Sequence, residues 1–165
     1  MRLASTAPGP SANVLLVRAF AIWILIAVAE TLHGVARTLF LMPIVGDRSS
    51  RQLGVFIGSI MILGIAWLFV NWIRATTRPQ LLAVGLLWLV LMLAFEVGLG
   101  RAVGISWERI LSDYDPAQGG LMIIGMGVLS LAPLLAAEGR RAVKRQEGLQ
   151  KGGAVEPGDE ADEAR

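Results

Sequence analysis

Glu30-Thr31-Leu32-His33-Gly34-Val35-Ala36-Arg37 places three ionisable side chains in the middle of the first long apolar run of the chain. On a helix Glu30, His33 and Arg37 stand at i, i+3 and i+7, stacked along one face. Polar groups so placed need a protected direction to point. Three further apolar runs follow, at about 53 to 73, 80 to 99 and 120 to 137, and only one of them carries a comparable charge, Glu96. Each run approaches the ~20 residues that cross a bilayer. The expected fold is therefore all-α, an integral membrane four-helix bundle with one buried polar cluster.

Composition points the same way. Of the 165 residues, 55% are hydrophobic, and the mean hydropathy is +0.62, whereas a soluble domain is about 45 to 50% apolar even when glycine is counted. The net charge of +2 comes from basic residues that flank apolar segments. They form no stripe of the kind that binds nucleic acid, so no nucleic-acid partner is expected. With no cysteine in the chain, thiolate catalysis, disulfides and cysteine-ligated metals are excluded.

Taken in order, residues 1 to 11 are small and polar and are expected to form a disordered leader. The first span should run from about 15 to 42, with Pro43 and Gly46 marking its exit. Ala27-Val28-Ala29 also fits the small-residue cleavage pattern of a signal peptide, but apolar character resumes after Arg37. A short polar loop, 46 to 52, should return the second helix, Leu53 to Ile73, antiparallel beside the first. Gly54 and Gly58 in that helix make a GxxxG pair, which lets backbones approach closely, either within the bundle or in a homo-oligomer or other membrane-protein partnership. The third helix reaches Glu96 and Arg101. Ser106 is placed to cap a short helix, with Trp107, Ile110 and Leu111 turned to the membrane surface. The fourth span, Leu121 to Ala137, should extend at the lipid surface through Arg140, Arg141, Lys144 and Arg145. The membrane domain is thus expected over 12 to 146, and a disordered acidic tail over 147 to 165.

Orientation follows from Lys and Arg. Arg2, Arg18, Arg74, Arg78 and the six basic residues from Arg140 onward make ten on one side, against Arg48, Arg51, Arg101 and Arg109 on the other. Positive residues stay inside, so both termini should be cytoplasmic.

The candidate site comprises Glu30, His33, Arg37 and Glu96, with Arg101 at its mouth. Arg37 is expected to pair with Glu96, and His33 to bridge toward Glu30. Intramembrane ionisable groups are functional candidates by default, so the cluster reads as a site for a small molecule, a lipid or a proton. The alternative is a structural network that holds two helices in register, in a protein that serves as a structural or interaction subunit. Glu30-x-x-His33 has the spacing of carboxylate-bridged di-iron bundles, but these need a second copy of the motif, and His33 is the single histidine. No metal or other cofactor is implied. The Asp113-Tyr114-Asp115 segment could add outward carboxylates near Arg101 at the mouth, but a solvated turn before Pro116 is the favoured expectation. No phosphate loop or nucleophile with an acid-base partner stands out, so enzyme chemistry has little support.

The segments ETLHGVARTLFLMPIVGDRSSRQ (30 to 52), FEVGLGR (95 to 101), SWERILSDYDP (106 to 116) and QGGLMIIGMG (118 to 127) together resemble uncharacterised small four-span proteins of bacterial inner membranes. The resemblance implies that location and brings no activity and no site residues.

Overall fold

The computed structural model describes residues 11 to 153, all of them in helices, turns or short connections. The helices are α1 (Ala12–Ala36), α2 (Met42–Val45), α3 (Asp47–Ile73), α4 (Arg78–Ala102), α5 (Trp107–Ser112) and α6 (Met122–Gly153). A π-helical turn, Arg37–Leu41, joins α1 to α2 without a break, so Ala12–Val45 forms one continuous rod. Among the described residues four helices, counting that rod as one, are long and apolar enough to cross a membrane.

The first span ends later than its proline suggests. Pro43 lies inside the helical run, where it removes an N–H donor. The wider winding of the π turn immediately before it absorbs that irregularity, as π-bulges do. Gly46, at φ 81°, is the true stop. The chain then reverses at once, and α3 begins at Asp47, six residues ahead of the expected Leu53. The polar stretch after Gly46 is helical because nothing in Asp47 to Gln52 breaks a helix. This early start brings Ser50 and Arg51 onto α3.

Helices α1 and α6 each pack against both α3 and α4, while α3 and α4, consecutive in the chain, sit diagonally across the bundle. Thr77 and Gln80 form a capping box at the start of α4. Helices α4 and α6 approach closely at Gly85. A Cβ at Gly85 would collide with the Ser130 backbone carbonyl, so this crossing requires glycine.

The core fills one end of the bundle. The buried apolar residues of α1 are Leu15, Ala19, Ile22, Ile26 and Ala27, all of which precede Glu30. They meet Ala66, Val70 and Ile73 of α3, Leu81, Val84 and Trp88 of α4, and Leu129, Ala132 and Ala136 of α6. Trp88 is fully buried, and its indole N–H donates to the Ala19 carbonyl at 2.8 Å, which satisfies its one polar atom. At this end arginines cap exposed helix carbonyls. Arg18 donates to the Trp72 carbonyl and lies over the Trp72 ring; Arg140 does the same at Trp67.

One terminal expectation changes. Helix α6 continues through the basic residues and on to Gly153, so 147 to 153 are helical where a disordered tail was expected. The leader 1 to 10 and the tail from 154 lie outside the described residues. Helix α5 begins at Trp107 with Ser106 as its cap, as expected. Its apolar residues do not share one surface, however, because Ile110 packs against Gly100 while Trp107 and Leu111 are exposed.

Candidate functional site

Past Glu30 the bundle opens. The halves of the helices nearest the loop end surround a cavity of about 620 Å³, within the 300 to 1,000 Å³ range of small-molecule sites. Glu30, His33 and Arg37 line it from α1, Arg51, Gly54 and Gly58 from α3, Glu96 from α4, and Asp113 from the loop. Met92, Met126, Leu129 and Ile62 form its apolar floor, continuous with the core.

Two glycines make room for the polar groups. A Cβ at Gly58 would stand 2.9 Å from Glu30 Oε2 and 3.0 Å from Oε1; one at Gly54 would stand 2.7 Å from Arg37 Cδ. Both glycines are buried. The GxxxG pair therefore receives side chains from the first helical rod of the same chain. Gly64, further along α3, meets nothing within 4 Å.

Glu30 and His33 meet as expected, with Nδ1 and Oε2 3.6 Å apart. Glu30 Oε1 is buried without a hydrogen-bond partner. The expected Arg37–Glu96 ion pair does not form. Arg37 Nη1 instead donates to the Ser50 hydroxyl at 3.1 Å, and Ser50 in turn donates to the Asp47 carbonyl. The early start of α3 explains the change, because it puts a buried hydroxyl beside the α1 arginine. Among the described residues no carboxylate lies within 4 Å of Arg37.

Glu96 is held from the loop. The Tyr114 hydroxyl donates to its Oε2 at 3.1 Å. Burial, with the Glu96 carboxylate beside it, pushes the Tyr114 phenol well above its usual range. Asp113-Tyr114-Asp115 is thus no solvated turn. Asp113 accepts from Arg51 at 2.9 Å, Arg51 also lies 3.3 Å from Asp47, and Arg109 reaches Asp47 at 3.0 Å. Asp115 caps the 3-10 turn Pro116–Gln118. This chain of charges clasps the loop onto the start of α3 over the end of the cavity.

Arg101 stands apart. It donates to the Ile105 carbonyl and lies over the Trp107 ring, stabilising the turn after α4, and it does not line the cavity. Sequence reasoning missed Ser50 and Arg51 and undervalued Asp113 and Tyr114. The signal available was Tyr114 as the only tyrosine, placed between two acids and opposite a helix end bearing Arg48 and Arg51.

The arrangement can bind and orient a ligand. It offers one guanidinium without a carboxylate, two acidic groups from facing helices and a wide apolar floor. Among the described residues no three His or acidic side chains are grouped closely enough to hold a metal ion. No protein-family model matches this chain, and no curated protein or solved structure proves similar to it.

Proposed function

We propose that this is a multi-pass membrane protein that binds an amphipathic small molecule in the loop-end cavity, with both termini in the cytoplasm and the cavity in the outer half of the membrane. The orientation rests on the basic residues at the closed end, and the bacterial inner membrane on the resemblance described above. One observation carries the binding reading. The bundle is densely packed up to Glu30 and hollow beyond it, and the hollow collects polar side chains from the first three spans and the loop, over an apolar wall from the fourth.

A scaffold network would be expected to close on itself. Here, among the described residues, Glu30 Oε1 has no partner and Arg37 has no acid within 4 Å. Unsatisfied buried groups lower stability, and sites that must receive a ligand characteristically give up stability in this way. Glu30→Met keeps the approximate volume and removes the acidic group. On the binding reading this variant melts at the same temperature as the parent or higher. A structural subunit, the second reading, draws stability from the Glu30–His33 contact, and there the variant melts lower.

A further inference from the structure

We infer that the ligand is a small zwitterion with an apolar body, an apolar amino acid or dipeptide, whose carboxylate binds Arg37 and whose ammonium binds Glu30. This inference rests on the binding reading above and names the ligand class of the same site. Its basis is the order in which the first span stacks its charges, together with two buried polar atoms that the fold leaves unpaired.

Glu30 and Arg37 both line the cavity, and α3 fixes the height of each. The Glu30 carboxylate lies against Gly58 and the Arg37 stem against Gly54, one turn nearer the loop end. Glu30 Oε2 is 2.9 Å from the place of a Cβ at Gly58, and Arg37 Nε is 3.5 Å from that of a Cβ at Gly54. Cβ atoms four residues apart on a helix are about 5 to 6 Å from each other, so the two charged groups stand within about 12 Å. They are also further apart than the 4 Å of an ion pair. Deeper, Ile62 comes one turn past Gly58 on α3 and joins Met92, Met126 and Leu129 in the apolar floor. From the loop end inward the cavity therefore presents a cation, then an acid, then hydrocarbon.

An amino acid carries its groups in the matching order: a carboxylate, then the carbon that bears the ammonium, then the side chain. A dipeptide keeps that order with a longer step between the charges. Among the described residues Glu30 Oε1 is buried without a partner, while Oε2 faces His33. Ser59, the residue after Gly58, also lines the cavity, and its hydroxyl is likewise buried and unpaired. An ammonium brings three N–H donors to this end of the cavity. At the other end Arg37 gives Nη1 to Ser50, which leaves further guanidinium N–H groups for a carboxylate. Arg51 does not compete, because Asp47 and Asp113 hold it. A ligand with an ammonium alone would leave Arg37 without an acid, and one with a carboxylate alone would leave Glu30 unpaired and meet its charge. Buried charges are costly in either condition. Reach also fits. One residue spans at most about 3.5 Å, and a charge-assisted hydrogen bond adds about 2.8 Å at each end. A single amino acid thus bridges about 9 Å and a dipeptide a little over 12 Å, which covers the separation between the two groups.

The test is equilibrium dialysis of the full chain in phosphatidylcholine nanodiscs, corrected for empty nanodiscs, against labelled phenylalanine, phenylalanyl-phenylalanine, phenethylamine and phenylpropionate. The four share one apolar body and differ in their charges. At least one of the two zwitterions should bind about tenfold more tightly than both single-charge analogues, a preference of about 1.4 kcal/mol. The variants should then cross over. Glu30→Gln should bring that zwitterion level with phenylpropionate and keep its preference over phenethylamine, whereas Arg37→Gln should bring it level with phenethylamine and keep its preference over phenylpropionate. A misfolded variant would weaken all four probes together, and the comparison in the parent decides without any variant. A single-charge analogue that binds the parent as tightly as the better zwitterion, or no measurable binding of any probe, overturns the inference. If that happens while Glu30→Met still melts at or above the parent, the binding reading stands and only the ligand class is wrong.

Discussion

Gly58 and Glu30 share a volume: a Cβ at Gly58 would come within 2.9 Å of Glu30 Oε2, so the carboxylate must move to admit one more methyl group. Adding a methyl in a helix interior ordinarily gains about 0.8 to 1 kcal/mol over glycine. At Gly64, with open space around it, Gly64→Ala should show that gain. Gly58→Ala should show none of it in the parent and recover it in a Glu30→Ala background, because removing the carboxylate empties the space. A full gain from Gly58→Ala alone, in urea or thermal unfolding, would place Glu30 elsewhere.

The α4–α6 crossing allows no such adjustment. The atom opposite Gly85 is the backbone carbonyl of Ser130, so Gly85→Ala must push two helices apart. Overpacking of this kind typically costs about 1 to 3 kcal/mol. Gly127→Ala on α6, with no neighbour within 4 Å, is the matched control and should be neutral or stabilising. Equal melting temperatures for the two variants would mean that α4 and α6 do not pack at Gly85.

Two ion pairs should differ in worth. Arg51–Asp113 is 12% and 35% exposed, and Arg51 also donates to the Gln118 carbonyl. Arg51→Ala should therefore lower stability by about 1.5 to 3 kcal/mol, the range for hydrogen bonds to charged groups, and should show coupling to Asp113→Asn in a double-mutant cycle. Arg78–Glu138, at 72% and 41% exposed, should yield no more than about 1 kcal/mol. The cycle is contradicted if the exposed pair couples more strongly than the clasp.

Tyr114 can be followed directly because it is the only tyrosine. Its folded-state phenol is raised above the ordinary value, so it binds its proton more tightly folded than unfolded. The stability this contributes is complete below about pH 10, the unfolded value, and is lost as pH rises toward the folded value. Phenolate absorbance in the folded protein should therefore appear only above about pH 10, and Glu96→Gln, which keeps the acceptor but removes the charge, should bring it back toward the ordinary value. Ionisation of the parent near the ordinary value would separate Tyr114 from Glu96.

The four spans were legible in the sequence because apolar runs of that length have few alternatives. The meeting of Glu30 with His33 was legible because it is local to one helix. Arg37 was misassigned because its partner depends on where α3 begins. The polar stretch Asp47 to Gln52 reads as loop by composition and is helix by geometry, and that shift brings Ser50 to the guanidinium. Asp113 and Tyr114 were undervalued for a related reason. A loop's role depends on what it folds over, and the Arg51 and Glu96 contacts span 62 and 18 residues. Gly54 and Gly58 were recognised as small, but spacing cannot tell whether the space they leave receives a backbone or a carboxylate.

The central claim is that the loop end is a hollow, hydrated site while the closed end is solid. The chain contains no cysteine, so single cysteines can report on it without background. A thiol reacts as its thiolate and needs water to ionise. In phosphatidylcholine vesicles N-ethylmaleimide should label Val55→Cys, on the cavity wall, at least about tenfold faster than Ile60→Cys on the bundle exterior or Ala66→Cys in the core. If Val55→Cys is as slow as those two, the cavity is closed or dry and the binding account fails.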